Sequence, residues 1–296
     1  GMPTMSIRRL TSLASLLPTI LLSQQLSKTM RLYYILAFAA LSLFSSCQLY
    51  EDAPTGMGRP GVVLDDEILS LYKLLGSSPH GWRGVMIPGS YQYGGINFCF
   101  KFDDKTMVDV SSEDGGAVRS TYTLSQSDGV RLTFDSSNSR IGRYASPDYT
   151  LLQGLEGDFE LRLESISPDG KQVVFTGIYS KNKLVLTRLD EEPEEYLAKV
   201  KAVRDALYGK ALSPLKLGGK EANISVFGLA RQLHVTVDGV SKLMPIYFTP
   251  EGVNVIAPDD VMDDKPAERV GQIGTEILRS LQVKKEGDAY KVLAPD

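Results

Sequence analysis

From Gly81 onward the chain alternates apolar and polar side chains with a period of two, and short turns carrying Gly, Asp or Asn break the alternation every few residues. Successive side chains on a strand point to opposite faces, so this pattern predicts half-buried strands; a helix would repeat every 3.6 residues. In "INFCFKFDDKTMVDV", Ile96, Phe98, Phe100 and Phe102 face one way while Cys99 and Lys101 face the other. "STYTLSQSDGVRLTFD" predicts a hairpin turning at Asp128-Gly129, with Val130, Leu132 and Phe134 on its inner face. "GWRGVMIP" adds one strand and "GDFELRLESISPDGKQVVFTGIYSKNKLVLTRL" three more, with turns at Ser167-Pro168-Asp169-Gly170 and Ser180-Lys181-Asn182. That makes roughly eight strands joined by short turns, an antiparallel meander that must close as a barrel or fold as a sandwich to protect its edges.

Two helices interrupt the strands. "DDEILSLYKLLG" places Ile68, Leu69, Tyr72 and Leu75 on one face and ends at Gly76. "DEEPEEYLAKVKAVRDALYG" places Leu197, Val200, Val203 and Leu207 in a stripe; Asp190 is its expected cap, and Glu191, Glu192, Glu194 and Glu195 suit its positive end. After Gly209, "NISVFG", "RQLHVTVDGVSKLMPIYFTPEGVNVIAP" and "SLQVKKEGDAYKVLA" alternate again. The hairpins "TLSQSDGVRLTFDS" and "PIYFTPEGVNVIAP" echo one another, either as a degenerate duplication or as two ordinary hairpins. The expected fold is mainly β with a few helices: a barrel- or sandwich-like meander plus a smaller strand-rich C-terminal domain.

The N-terminal part reads differently. Met30-Arg31, the apolar run Leu32 to Phe44 and the small pair Ser45-Ser46 are the three regions of a secretory signal. The run falls short of the ~20 residues a membrane-spanning helix needs. "FSSC" resembles a bacterial lipobox, which makes Cys47 the expected lipid anchor, and acyl chains of that kind hold a protein on a membrane through buried methylenes. The alternative for Cys47 is a core residue of an N-terminal helix, which the polar segment "QLYEDAPTGMGRPG" directly after it disfavours. Gly1 before a Met has the look of a cloning remnant, and residues 2–29 read as an over-long start or as part of one unusual leader. The expected organisation is residues 1–29 upstream sequence, 30–46 signal peptide, 47–64 anchor and tether, 65–190 N-terminal β domain, 191–210 linking helix and 211–296 C-terminal domain.

Charge narrows the partners. The whole chain carries 32 basic and 36 acidic residues, a net charge of −4. The first 46 residues hold Arg8, Arg9, Lys28 and Arg31 and no acid; without them 28 basic residues face 36 acidic ones, a net charge of −8. Such a body repels phosphate backbones, so no nucleic-acid partner is expected. Cys47 and Cys99 are the only cysteines and His80 and His234 the only histidines, too few and too scattered for a disulfide framework or metal spacing. No P-loop, GxSxG or GxGxxG occurs. Asp103-Asp104, Asp259-Asp260 and Asp263-Asp264 lack the glycine and closing Glu of a calcium loop. Glu160 and Glu164 flank Arg162, the pattern of a salt-bridged face. No catalytic residue and no cofactor is expected.

The suggestive residues are aromatic and sit in loop-like sequence: Trp82 in "HGWRG", Tyr91 and Tyr93 in "GSYQYGG", and Tyr144 and Tyr149 in "RYASPDY". Flat rings at the mouth of a β-fold can stack on sugar faces, or can instead cap the open ends of the β-structure.

The lipobox-like "FSSC", the helix before "GWRGVMIP", "YGGINFCFKFDD", "STYTLSQSDGVRLTFDSSN" and the three-strand segment above run in an order that resembles the Bacteroidetes lipoproteins carrying an uncharacterised domain of unknown function. The resemblance spans most of residues 47–296 and rests on fold-defining segments, so it transfers no functional residue. It implies an envelope-anchored, non-enzymatic protein linked to surface polysaccharide systems. The expected function is therefore a ligand-binding accessory module, with a glycan as ligand; the competing class is a structural or protein-interaction component of an envelope complex, and a hydrolase stands third.

Overall fold

The computed structural model describes residues 66–89, 93–103, 105–146, 155–181, 183–227, 231–256, 272–273, 276–287 and 289–295. The readings at Cys47, Tyr91, Tyr149, Asp104, the aspartates between 259 and 264, the signal and the tether lie outside these residues.

The meander closes as a barrel. Its strands are β1 (Trp82–Met86), β2 (Ile96–Phe102), β3 (Met107–Ser112), β4 (Gly115–Gln126), β5 (Val130–Phe134), β6 (Glu160–Ile166), β7 (Gln172–Gly177) and β8 (Lys183–Arg188), all antiparallel in sequence order. Closure comes from β1 pairing back onto β8, with Trp82 opposite Arg188 and Arg83 opposite Thr187. A closed barrel leaves no unpaired edge, which is how this strand set avoids edge-to-edge association.

The barrel interior is an aromatic stack. Phe98, Phe100 and Phe102 stand in a row on β2, with Phe134 stacked on Phe100 at 5.3 Å between ring centres. Helix α1 (Asp66–Gly76) covers the Phe102 end, where Tyr72 lies against Tyr122 and Tyr122 against Phe102. Its Leu71 and Leu75 are buried in the same core. Helix α2 (Ser139–Ala145) covers the Phe98 end through Ile141 and Tyr144. Tyr144 is not in a loop, as its sequence neighbourhood suggests; the Asn138 side chain accepts from the backbone N–H groups of Arg140 and Ile141, capping a short helix that the loop-like "SPDY" after it disguises.

Helix α3 (Pro193–Leu207) follows the barrel and buries the expected stripe, Leu197, Val200, Val203 and Leu207. Its cap is Glu192 and not Asp190, because Pro193 sets the first helical position. Glu192 spends its carboxylate on His80 Nδ1, 2.8 Å away, and on Lys101 Nζ at 3.4 Å. Beyond α3 come β9 (Ala211–Leu217), β10 (Lys220–Phe227), β11 (Gln232–Val237), β12 (Val240–Thr249), β13 (Gly252–Val255), the short pair β14 (Gln272–Ile273) and β15 (Glu276–Ile277), then β16 (Ser280–Glu286) and β17 (Ala289–Pro295). Seven of them form one sheet in the order β17-β16-β13-β12-β11-β10-β9. Pro214 falls in β9, an edge strand, where a missing N–H costs no ladder bond.

Residues 64–296 make one compact unit because β2 is buried on both faces. Its inward Phe row belongs to the barrel core, whereas the outward Cys99 belongs to a second core shared with α3 and the seven-stranded sheet. Two hydrogen bonds fasten the seam: Asn97 Nδ2 donates to the Phe248 carbonyl and the Gly95 N–H to the Ile246 carbonyl, each at 2.9 Å. No helix among the described residues is long and apolar enough to cross a membrane.

Candidate functional site

Where the barrel end under α2 meets α3 and the second sheet, four charged side chains converge. Glu113 and Asp114 form the turn between β3 and β4, Arg204 comes from the last turn of α3, and Arg231 precedes β11. Glu113 is fully enclosed. Its Oε1 accepts from Arg231 Nε at 2.9 Å and from the Asn97 N–H at 3.3 Å, while Oε2 accepts no hydrogen bond and stands 3.8 Å from Arg204 Nη1. Asp114 is wholly engaged: Oδ1 takes Arg204 Nη1 at 3.2 Å, and Oδ2 takes Arg231 Nη2 at 3.1 Å together with the Tyr144 hydroxyl.

Burial and charge push these groups apart. Burial raises the Glu113 carboxyl above the usual range and outweighs the pull of Arg231. Burial works upward on Asp114 too, but the Tyr144 hydroxyl and Arg231 prevail and hold it below the usual range. The Tyr144 hydroxyl is driven well above a free phenol by burial and by donating to Asp114. For Arg231, burial works against the charge, yet Glu113 and Asp114 reinforce it.

Asp114, Tyr144, Arg204 and Arg231 border a cavity of about 530 Å³, with Glu113 enclosed behind them. Tyr93, Tyr144 and Tyr208 supply its aromatic walls, with Ile96 and Leu155 as apolar neighbours. Tyr144 meets Phe98 edge-on at 5.8 Å, so the cavity wall is keyed into the barrel core. Arg143 also lines the space; its guanidinium lies 6.0 Å over the Tyr144 ring and has no carboxylate partner among the described residues. The Tyr208 hydroxyl is buried and finds no protein partner among them either. Such a site is an aromatic-walled recess holding hydrogen-bond donors, the arrangement that small polar ligands require.

Of the sequence-predicted aromatics, Tyr93 and Tyr144 meet at this cavity. Trp82 does not. It is completely buried, its Nε1 donates to the Leu75 carbonyl at 2.8 Å, and Arg188 covers its ring at 4.9 Å, so it closes the α1 end of the barrel and presents no face to a ligand. Tyr91 and Tyr149 lie outside the described residues. Glu113, Asp114, Arg143, Arg204, Tyr208 and Arg231 are not singled out by the sequence, because "SEDGG" is indistinguishable from a solvated turn and Arg204 and Arg231 meet it only across 90 residues or more of chain. Glu160 and Glu164 do pair with arginines, Arg131 at 3.5 Å and Arg162 at 2.9 Å.

A second cleft of about 720 Å³ runs between β1, β8, the start of α3 and strands β12, β13 and β16. Its polar groups are largely spent on one another: Lys199 on Glu191, Asn254 Nδ2 on the Tyr247 hydroxyl at 3.0 Å, and Arg83 over the Tyr196 ring at 5.6 Å.

Fold and site together define a closed eight-stranded antiparallel barrel fused to a second antiparallel sheet, with a ligand-sized recess where they join. Residues 62–270 match the family described as Domain of unknown function (DUF4302), and the chain belongs to that family. No curated protein and no solved structure matches it.

Proposed function

We propose that this protein is a non-catalytic glycan-binding module held at the cell envelope by a lipid on Cys47, in the manner of the Bacteroidetes lipoproteins it resembles. One observation carries the ligand reading: a recess of about 530 Å³ brings three tyrosine rings together with unpartnered donors. Sugars offer apolar ring faces for stacking and hydroxyls for hydrogen bonding, so the recess has the two kinds of surface they need. The two carboxylates favour binding over hydrolysis, since both oxygens of Asp114 are occupied and Glu113 is sealed behind it. The acidic body disfavours nucleic acid. The signal-like segment and "FSSC" support the anchor and an outer-membrane location, facing the periplasm or the outside.

The experiment is a thermal-shift screen of the chain carrying Cys47→Ser against host and dietary glycans, with Tyr93→Ala alongside. A stabilising glycan lost in Tyr93→Ala, with the variant's own melting intact, supports the reading; no shift at millimolar glycan rejects it. For the anchor, the membrane-fraction protein should carry acyl mass that Cys47→Ala lacks.

A second reading, an envelope protein as partner, is favoured by exposed apolar residues on the second sheet. Phe227 on β10 and Leu243 on β12 are 60% and 54% exposed. Retained co-purification of an envelope protein that Phe227→Ser and Leu243→Ser abolish would favour that reading.

A further inference from the structure

The recess is unequal in what it offers. Both oxygens of its Asp114 are consumed, Oδ1 by Arg204 and Oδ2 by Arg231 and Tyr144, while Glu113, with its bare Oε2, is enclosed behind the lining. Asp205 is the lining carboxylate with an oxygen to spare; Oδ1 takes Arg204 Nε at 3.1 Å and the side chain is more than half exposed at the rim. Its donors are in surplus. Arg204 uses Nε and Nη1 and leaves Nη2 without an acceptor among the described residues; Arg231 uses Nε and Nη2 and leaves Nη1. Neither nitrogen is a fully sealed, unsatisfied atom, and the Arg204 and Arg231 side chains that line the recess are 16% and 11% exposed. Arg143 adds a guanidinium with no carboxylate partner among the described residues, and Tyr208 adds a buried hydroxyl.

We propose that the ligand is an acidic glycan, whose anionic substituent sits against Arg143 and the spare Arg204 and Arg231 N–H groups; this rests on the glycan reading above and names its class. A neutral sugar would leave those N–H groups facing hydroxyls that are donors as often as acceptors. A carboxylate or sulfate ester offers only acceptors, matches the planar guanidinium fork and neutralises Arg143, the lining arginine without a carboxylate partner among the described residues. Asp114 and Glu113 hold Arg204 and Arg231 in place, so the anion meets preset donors.

The test is calorimetric titration of the Cys47→Ser chain with three size-matched ligands: a uronic-acid oligosaccharide, a sulfated one and a neutral one. Arg143→Gln and Arg143→Lys are titrated alongside; Arg143 is exposed and is not itself one of the barrel-core residues. The expected result is at least tenfold tighter binding of one acidic ligand than of the neutral one. Arg143→Gln should remove most of that preference and Arg143→Lys restore part of it. Preference for uronate or for sulfate identifies which anion is read, and either supports the inference. Equal binding of acidic and neutral sugars overturns it while leaving the glycan reading standing. An acidic preference indifferent to Arg143→Gln overturns the placement in this recess. No binding of any of the three overturns the glycan reading itself.

Discussion

At the scale of single residues, Glu113 is the most consequential side chain outside the cores. Removing one partner of an enclosed ion pair strands the other, so Glu113→Ala should cost about 3–5 kcal/mol in urea unfolding. Glu113→Gln keeps the shape and the contact with Arg231, and should cost clearly less; equal losses would mean that the charge alone carries the contribution. Asp114 behaves oppositely to Glu113 with pH. Its folded carboxyl stays ionised below the unfolded value, so its contribution is present above ordinary carboxylate pH and is lost as pH falls through the folded value. Glu113 is raised, so its contribution is present below its unfolded value and is lost as pH rises through the folded one. Tyr144→Phe deletes the hydroxyl that helps hold Asp114 low; stability should fall by about 1–2 kcal/mol at neutral pH, and the deficit should shrink on acidification. A deficit that grows with acid would refute this assignment. Cys99 gives a simpler readout. Burial first, with Glu194 and Glu191 adding, pushes its thiol up to about 12, so in the Cys47→Ser chain it should ignore thiol reagents at pH near 8 until denaturant is added.

At the scale of elements, the strands were legible and the junctions were not. Period-two alternation marks β1 to β8 because each has one face in the barrel core, and Asp128-Gly129 marks the β4–β5 turn because both residues adopt positive φ. The helix α2 was hidden, since seven residues are too few for a periodic signal and its cap is a lone asparagine. The site was hidden for a related reason: no local pattern reports that the β3–β4 turn will meet a residue at the far end of α3. Gly94 packs directly against Arg231, one of the residues of this site. It has φ +64, and an added Cβ would stand 2.6 Å from the Arg231 carbonyl and 2.7 Å from that of Ile246. Gly94→Ala should therefore cost more than about 1 kcal/mol and, by displacing Arg231, weaken ligand binding as well. Wild-type stability and affinity in that variant would show that the seam is looser than described.

At the scale of the molecule, the barrel and the second sheet are two cores with one strand between them. β2 gives its phenylalanines to one and Cys99 to the other, and α3 packs its apolar stripe into the second. Unfolding either core uncovers a face of β2, so residues 64–296 should melt in one transition, with fluorescence and far-ultraviolet dichroism coincident; two separated transitions would contradict the shared strand. This architecture also explains why the recess exists: the barrel end is not sealed by its own strands but by α2, α3 and the start of β11, whose polar residues meet there. A ligand seated in this recess must protect the segments that line it. Hydrogen exchange should be measured on the Cys47→Ser protein with and without the tightest-binding glycan. The prediction is slowed exchange at residues 93–96, 113–114, 143–144 and 204–208; protection confined instead to the second cleft, around Arg83, Tyr196 and Tyr247, would contradict it.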